Sequence, residues 1–163
     1  MLVGVVSDTH NNIKSIKAII DIFNKEKVDY VIHTGDISKA STLQMFSNLN
    51  CKFLGVFGNN DRNEIGLEEV CEEFNFNFQE PPFLVNIFNK KIVIFHEPDS
   101  IEKYLEENKD IDIVLFGHTH RYEKRIKDNV VLFNPGESAG FFEGKNALGI
   151  INLKDLNIKR IFF

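Results

Sequence analysis

The chain has 163 residues, of which 43% are hydrophobic and 26% are charged. These values are ordinary for a globular protein, and the length suits one hydrophobic core, so we expect a single domain over residues 1–163. The formal net charge of −5 argues against a broad surface for nucleic acid or for anionic membranes. Nucleic acid is therefore expected only as a substrate, and no membrane partner is expected.

The two cysteines, Cys51 and Cys71, are too few to form a disulfide framework. Neither has a second Cys or a His at ligand spacing, so we expect both thiols to be reduced, partly buried and free of zinc. The N-terminus opens on a strand-like apolar run rather than on a signal peptide. Because no apolar run approaches the ~18 residues of a membrane span, the cytoplasm is the expected location.

The first half of the chain alternates between two hydrophobic periods. Residues 2–6 form a continuous apolar run that predicts a buried strand, and apolar residues then recur at helical spacing over 13–23. The same order repeats, with a strand at 28–32, a helix around 43–49 and a strand at 52–57. This βαβαβ order predicts a core of parallel strands joined by right-handed crossovers.

The second half predicts hairpins more than crossovers. Pro81-Pro82 follows a short helix at 64–74 and separates the two halves. A helix should begin near Pro98, with Asp99 or Ser100 as its N-cap, and run to about Asn108. The predicted strands are 83–88 and 91–95, 113–116, 122–126 and 130–133, and 147–153 and 158–163. We therefore expect two packed sheets with flanking helices.

Five short motifs stand directly after apolar runs, and they carry most of the functional information. Parallel strands place such residues together at the C-terminal edge of a sheet, where α/β proteins build their sites. The motifs offer carboxylate, amide and imidazole donors in a combination that suits two divalent metal ions and metal-assisted hydrolysis. They are Asp8-Thr9-His10, Gly35-Asp36, Gly58-Asn59-Asn60-Asp61, His96, and Gly117-His118-Thr119-His120.

Each motif alone has a simpler explanation. Asp8 would serve as a helix cap, Asp36 and Asn59 as turn residues, and His96 as a core histidine. What argues against these explanations is that all of the motifs follow strands. His33 is different, because it lies inside a strand, and we expect it to be a core or supporting residue rather than a ligand.

Pairs at positions i and i+2 form a further part of the pattern. In an extended segment such residues point the same way, so Asp8 and His10 should reach one ion together. His118 and His120 should likewise present two imidazoles from one extended segment.

The ordered set D-x-H, G-D, G-N-x-[DE], an isolated H and G-H-x-H resembles the calcineurin-like metallophosphoesterase superfamily. Asn134-Pro135-Gly136 also looks like the corresponding segment of its small single-domain branch, the YfcE-like bacterial and archaeal phosphodiesterases. The resemblance spans essentially the whole chain. It implies an α/β fold with four αββα layers, in which two mixed β-sheets are flanked by helices.

The resemblance also implies a binuclear metal centre. Asp8, His10, Asp36 and His120 would hold the first ion, and Asp36 would bridge to the second. The remaining ligands of the second ion would be Asn59, His96 and His118. Manganese or nickel is the expected metal, with zinc and iron as alternatives.

The chain departs from the superfamily at two positions. Most members have a His after the ligand Asn that assists the leaving group, whereas this chain has Asn60, which cannot supply a proton. Asn60 could still contact a phosphate oxygen. Relatives commonly read H-G-H where this chain reads His96-Glu97-Pro98, so Glu97 places a carboxylate near the site that could repel an anionic substrate.

We therefore expect two-metal hydrolysis of a phosphate ester, with a small phosphodiester as the preferred substrate, in which a metal-bridging hydroxide attacks phosphorus. The alternative is a scaffold without catalysis that binds partner proteins, as in the retromer coat subunit of the same fold. Such a scaffold would use exposed apolar residues, and the candidates are Phe141-Phe142 and Ile161-Phe162-Phe163. We expect these instead to be ordinary core or a homodimer contact.

Overall fold

A computed structural model describes residues 1–142 and 144–163 and shows two sheets. The first has the strand order β11-β10-β1-β2-β3-β4, and the second has the order β5-β6-β7-β9-β8. The bounds of the strands are β1 Leu2–Val6, β2 Tyr30–His33, β3 Lys52–Val56, β4 Asn77–Gln79, β5 Phe83–Ile87, β6 Lys90–Ile94, β7 Ile113–Leu115, β8 Glu123–Lys127, β9 Val130–Asn134, β10 Ala147–Asn152 and β11 Asn157–Phe162.

The α-helices are α1 Ile13–Glu26, α2 Ala40–Met45, α3 Leu67–Phe74 and α4 Ile101–Glu107, and a 3₁₀ turn over Phe46–Asn48 follows α2. None of the helices in the described part of the chain is long and apolar enough to cross a membrane. Both thiols are free, with Cys71 buried and Cys51 partly buried. Burial raises the pKa of each thiol to about 11.

The centre of the first sheet is covered on both faces, which explains why strands β1, β2 and β3 read as nearly continuous apolar runs. Val3 and Val5 on β1 point toward the second sheet, and they pack in a core with residues such as Ile94 and Leu115. Val6 belongs to a separate core that includes Ile16 and the other buried residues of α1. The strand β1 pairs in parallel with β2, and β2 pairs in parallel with β3, as the βαβαβ order predicts.

The second sheet carries the fourth layer. Val93 of β6 and Val114 of β7 point away from the first sheet and pack against Ile101 of α4. The molecule is therefore layered as helices α1–α3, first sheet, second sheet and helix α4. This arrangement confirms the predicted αββα fold with two mixed sheets.

Local details differ from the sequence-based expectations. Strand β4 was not predicted, because it is a short edge strand whose polar ends show no apolar alternation. Helix α4 has Ser100 at its N-cap position, but no side-chain hydrogen bond from the described residues caps it. Asn12, not Asp8, caps α1, where its side chain accepts a hydrogen bond from the Ser15 N–H at 3.0 Å.

Five strand ends meet at one place. Strands β1, β2 and β3 of the first sheet end next to strands β6 and β7 of the second. The expectation of a single sheet edge is therefore wrong in one respect. The motifs share an edge of the β-sandwich that is built from both of its sheets, because the core between the sheets holds their C-terminal ends together.

Candidate metal centre

Asp8 lies directly after β1 and is fully buried. Its Oδ2 accepts hydrogen bonds from the Ser7 hydroxyl and from the His118 N–H, the latter at 3.1 Å. Its Oδ1 is buried and has no hydrogen-bond partner among the residues that the structure describes. This unpartnered oxygen lies 3.4 Å from His120 Nε2 and 3.9 Å from His10 Nε2, so three electron-donating atoms converge on one point.

This first group has the chemistry of a metal site. The ligand atoms of Asp8, His10 and His120 all lie within 4.8 Å of one another. An unpaired buried carboxylate oxygen is costly unless a cation or a proton neutralises it. The hydrogen bond and charge of Asp8 raise the pKa of His120 above its usual value. This shift also shows that the site favours a positive charge beside Asp8.

The second group surrounds His96 at the end of β6. Its Nδ1 lies 2.8 Å from the Thr34 carbonyl oxygen and must donate to it, so in the neutral ring Nε2 carries a lone pair. That Nε2 lies 2.9 Å from Asn59 Oδ1 and 3.4 Å from Asp36 Oδ2. His118 Nδ1 lies 3.0 Å from the same Asn59 oxygen. A lone pair that faces two oxygens requires a cation or a proton between them.

Asp36 lies between the two groups. Its Oδ2 is 3.6 Å from His10 Nε2 and 3.4 Å from His96 Nε2. Asp8 also lies near both groups. Besides its place in the first group, its carboxylate has an oxygen within 4.8 Å of ligand atoms of Asp36 and His96. Burial alone would raise the pKa of Asp36, but a protonated His96 at 3.4 Å and the hydrogen bonds from Asn60 hold this pKa well below the usual range.

The left-handed backbone, rather than an extended one, sets the direction of these side chains. Asp8, His10, His118 and His120 have φ angles of 51°, 39°, 65° and 56°. The expectation of extended i, i+2 pairs is therefore wrong in its reason, although Asp8 and His10 do meet. His118 and His120 face different groups, His118 toward Asn59 and His120 toward Asp8.

Side chains that lie close to the backbone explain why two of the motif positions are glycine. Gly35 has a φ of 103°, and a Cβ there would lie 2.5 Å from His96 Nδ1. A Cβ on Gly117 would collide with the Ser7 hydroxyl and would lie 2.9 Å from Asp8 Oδ2. Asn134 supports the same turn, since its Nδ2 donates to the Gly117 carbonyl at 2.9 Å.

Asp61 also lies in the site region, although its sequence motif alone predicts no role for it. Its buried carboxylate accepts four backbone N–H groups, from Gly58 at 2.7 Å, Asp36 at 2.9 Å, Ile37 at 2.9 Å and Ser38 at 2.7 Å. Burial raises its pKa, while the bonds from Gly58 and Ser38 act in the opposite direction. Asp61 thus ties the loop after β2 to the loop after β3. The acidic fourth position of Gly58-Asn59-Asn60-Asp61 was the available signal.

Asn60 contacts Asp36 twice. Its backbone N–H donates to Asp36 Oδ1 at 2.9 Å, and its side-chain Nδ2 donates to Oδ2 at 2.8 Å. The side-chain amide keeps a second hydrogen that is not used in this bond. A contact of that hydrogen with phosphate stays a prediction.

Glu97 faces a positive charge. Its Oε2 lies 3.9 Å from Arg62 Nη2, and both side chains are partly exposed. The carboxylate that replaces the Gly of H-G-H is therefore balanced by a guanidinium group, which reduces its repulsion toward an anion.

His33 is fully buried and is not a member of either group. Its Nδ1 accepts the Gly35 N–H at 3.1 Å, so its Nε2 carries the proton and donates to Thr9 Oγ1 at 3.1 Å. Burial lowers the pKa of His33 to about 3, and the ring stays neutral. The interpretation as a supporting residue agrees with these contacts.

The aromatic pair Phe141-Phe142 does not belong to the core. The two residues are 63% and 58% exposed, so the expectation of ordinary core is wrong for both. Phe162 is also exposed, whereas Ile161 and Phe163 are partly buried against the core that contains α1.

The fold and the donor set together define a metallophosphoesterase architecture. Residues 1–155 match the family described as the Calcineurin-like phosphoesterase superfamily domain. The chain belongs to this superfamily. At the level of the family, this confirms the prediction of a phosphoester hydrolase.

The most informative relative is a phosphodiesterase of Methanocaldococcus jannaschii. It is 32% identical over 163 residues, which cover 99% of this chain and 98% of the relative. The solved structure of an archaeal phosphodiesterase is similar, with a TM-score of 0.91 and 31% identity over all of both chains.

More distant structures share the fold. The phosphoesterase YfcE of E. coli has a TM-score of 0.69 at 16% identity, with 99% of this chain and 98% of that chain covered. A zinc complex of Vps29 from Entamoeba histolytica has a TM-score of 0.70 at 19% identity, with 99% of each chain covered.

Proposed function

We propose that this protein hydrolyses phosphodiesters with two divalent metal ions. The observation that carries the proposal is the convergence of unsatisfied donors. Asp8 Oδ1 is buried without a hydrogen-bond partner in the described part of the chain, and the lone pair of His96 Nε2 faces the oxygens of Asp36 and Asn59. Cations satisfy all of these atoms at once, whereas protons would have to be added to several groups.

The ligand sets follow from the contacts. Asp8, His10, Asp36 and His120 would hold one ion, and Asp36, Asn59, His96 and His118 would hold the other. Asp36 would belong to both ligand sets, since its Oδ2 faces His10 and His96 at 3.6 and 3.4 Å. Mixed nitrogen and oxygen donors without thiolates suit manganese, nickel, iron or zinc, with manganese or nickel preferred.

Two such ions, when bound, supply an activated water and neutralise charge on the phosphate. The residues of the chain then have definite tasks. Asn60 holds the Asp36 carboxylate through two N–H donors, and its free amide hydrogen is available to a phosphate oxygen. Since an amide does not release a proton, esters with good leaving groups should react best.

The comparisons support the choice of a diester. The full-length relative at 32% identity carries the name phosphodiesterase. The site cavity has a volume of about 380 Å³, which suits a small substrate. A cytoplasmic location and a homodimer remain predictions of the sequence.

The test is hydrolysis of bis-p-nitrophenyl phosphate by chelator-treated protein, with Mn²⁺, Ni²⁺ or Zn²⁺ added back. We expect metal-dependent turnover that is lost in Asp36→Ala and in the equally sized Asp36→Asn. The control Asp21→Ala removes an exposed carboxylate of α1 and should leave turnover unchanged. Stoichiometric metal binding without turnover under any of these metals would refute the proposal and favour a binding scaffold.

A further inference from the structure

Phe141 forms an apolar wall in an otherwise polar cavity. The described residues that line the cavity of about 380 Å³ include the imidazoles and amides of the metal centre and one aromatic hydrocarbon ring, that of Phe141. This side chain is 63% exposed. An exposed Phe is unremarkable on a surface, but here it adjoins the atoms that would act on a phosphate.

The Phe141 ring is oriented by the imidazoles. It lies parallel to His120, with an interplanar angle of 3° and a centroid distance of 5.4 Å, and it is tilted by 35° to His10 at 5.2 Å. Stacked aromatic pairs prefer this offset arrangement. The ring area that the imidazoles leave uncovered is open to solvent beside the cavity.

The loop that carries Phe141 is held by a buried carboxylate. Glu137 is 1% exposed and accepts the N–H groups of Ala139 at 3.0 Å, Phe141 at 3.3 Å and Phe142 at 3.0 Å. Asn12, the N-cap of α1, donates to the Ala139 carbonyl at 2.7 Å. The fold therefore sets the position of Phe141, as it would for a recognition element.

The same loop is tied to the metal centre itself. The Ser138 N–H donates to the Asp8 carbonyl at 3.4 Å, and the Ser138 hydroxyl donates to the Ala147 carbonyl at 3.1 Å. The loop that carries Phe141 is therefore hydrogen-bonded directly to the segment that carries Asp8.

We propose that Phe141 receives a flat aromatic ring carried by an ester arm of the phosphodiester, an inference that rests on the proposed function. An aromatic ring gains stacking with Phe141 while the phosphate occupies the polar part of the cavity. A small alkyl ester has no such face. The preferred substrates are diesters with an aryl group or a nucleobase next to the phosphate.

The test compares binding of diphenyl phosphate and dimethyl phosphate to the metal-loaded protein by calorimetry. Diphenyl phosphate has a poor leaving group, so its turnover should be slow on the time scale of titration. Phe141→Ala should weaken binding of diphenyl phosphate by about three- to tenfold and leave dimethyl phosphate unchanged. Phe141→Tyr should bind both as the wild type does, and Phe141→Leu should show most of the loss.

The control is Phe142→Ala, which removes an adjacent exposed ring whose backbone N–H also bonds Glu137. It should leave both affinities unchanged. Equal weakening of the two phosphates by Phe141→Ala, or a lower affinity for the metal, would show that Phe141 only positions the imidazoles. No preference of the wild type for diphenyl phosphate would also overturn the proposal.

Two further ligands separate the sources of the ring. A thymidine dinucleotide and its abasic analogue share one backbone and differ only in the bases. If Phe141→Ala weakens binding of the thymidine dinucleotide and not of its abasic analogue, the ring is a nucleobase. If Phe141→Ala weakens binding of diphenyl phosphate and of neither dinucleotide, the ring belongs to an aryl ester. If the wild type fails to hydrolyse bis-p-nitrophenyl phosphate, the proposed function fails, and these binding measurements still decide the role of Phe141.

Discussion

Removal of the Asp61 carboxylate should destabilise the protein strongly. In Asp61→Ala, the backbone N–H groups of Asp36, Ile37, Ser38 and Gly58 lose an acceptor that lies at 2.7–2.9 Å from each. A hydrogen bond to a charged group contributes about 1.5–3 kcal/mol, but such bonds are not additive and water can enter the space. We therefore expect a loss of about 3–5 kcal/mol in the free energy of unfolding, or about 6–20 °C in Tm.

Asp61→Asn provides a graded test. Oδ1 accepts from Ile37 and Ser38, and Oδ2 accepts from Asp36 and Gly58. One amide oxygen can replace one carboxylate oxygen, so two of the four bonds survive while an NH₂ group faces the other two donors. The loss should be at least about 2 kcal/mol.

The assay is urea unfolding of chelator-treated protein, followed by circular dichroism. Glu64→Ala is the matched control, because it removes an exposed carboxylate from the same loop and leaves the described side-chain hydrogen bonds intact. It should change stability by less than about 0.5 kcal/mol. A loss below about 1 kcal/mol in Asp61→Ala would show that other contacts hold the two loops and that the Asp61 carboxylate does not stabilise them.

Two further predictions concern protons. Burial lowers the pKa of His33 to about 3, so between about pH 6.5 and 3 the unfolded chain binds more protons than the folded one. The contribution of His33 to the free energy of unfolding is complete above about pH 6.5 and falls by about 2 kcal/mol from pH 7 to pH 5. In metal-free protein, the free energy of unfolding of His33→Asn should lack this part of the decrease, as measured by urea unfolding at each pH. Equal decreases in His33→Asn and in the wild type would contradict the assignment. Asn60→His should hydrolyse diphenyl phosphate at least about tenfold faster than Asn60→Ala, because an imidazole can protonate a poor leaving group. Equal rates for these two variants in a phenol-release assay would rule out a missing general acid as the limitation.

Much of the fold was predictable because its signals are local. Continuous apolar runs at Leu2–Val6 and Lys52–Val56 identified strands buried on both faces, and the helical spacing from Ile13 identified α1. Strand β4 escaped prediction because its only described ladder is with β3, a pairing between distant residues that no local pattern encodes.

The candidate site shows the same division. That polar donors follow buried strands is visible in the sequence, and the ordered motifs were enough to predict the family. The direction of each side chain was not visible, because it depends on left-handed backbone at Asp8, His10, His118 and His120. Such conformations are unfavourable for these residues in isolation and persist only where the surrounding structure imposes them.

The sequence by itself predicted the central strands, helix α1 and the lack of a proton-donating side chain at Asn60, since these depend on residue type and on short periods along the chain. Its resemblance to the metallophosphoesterases implied the αββα layers and the candidate metal donors. The tertiary structure alone decided three other matters. These are the separation of His118 from His120, the clamp formed by Asp61, and the placement of Phe141 beside the imidazoles. Each depends on contacts between segments that are distant in the chain, and such contacts form only when the two sheets pack and bring their strand ends to one edge.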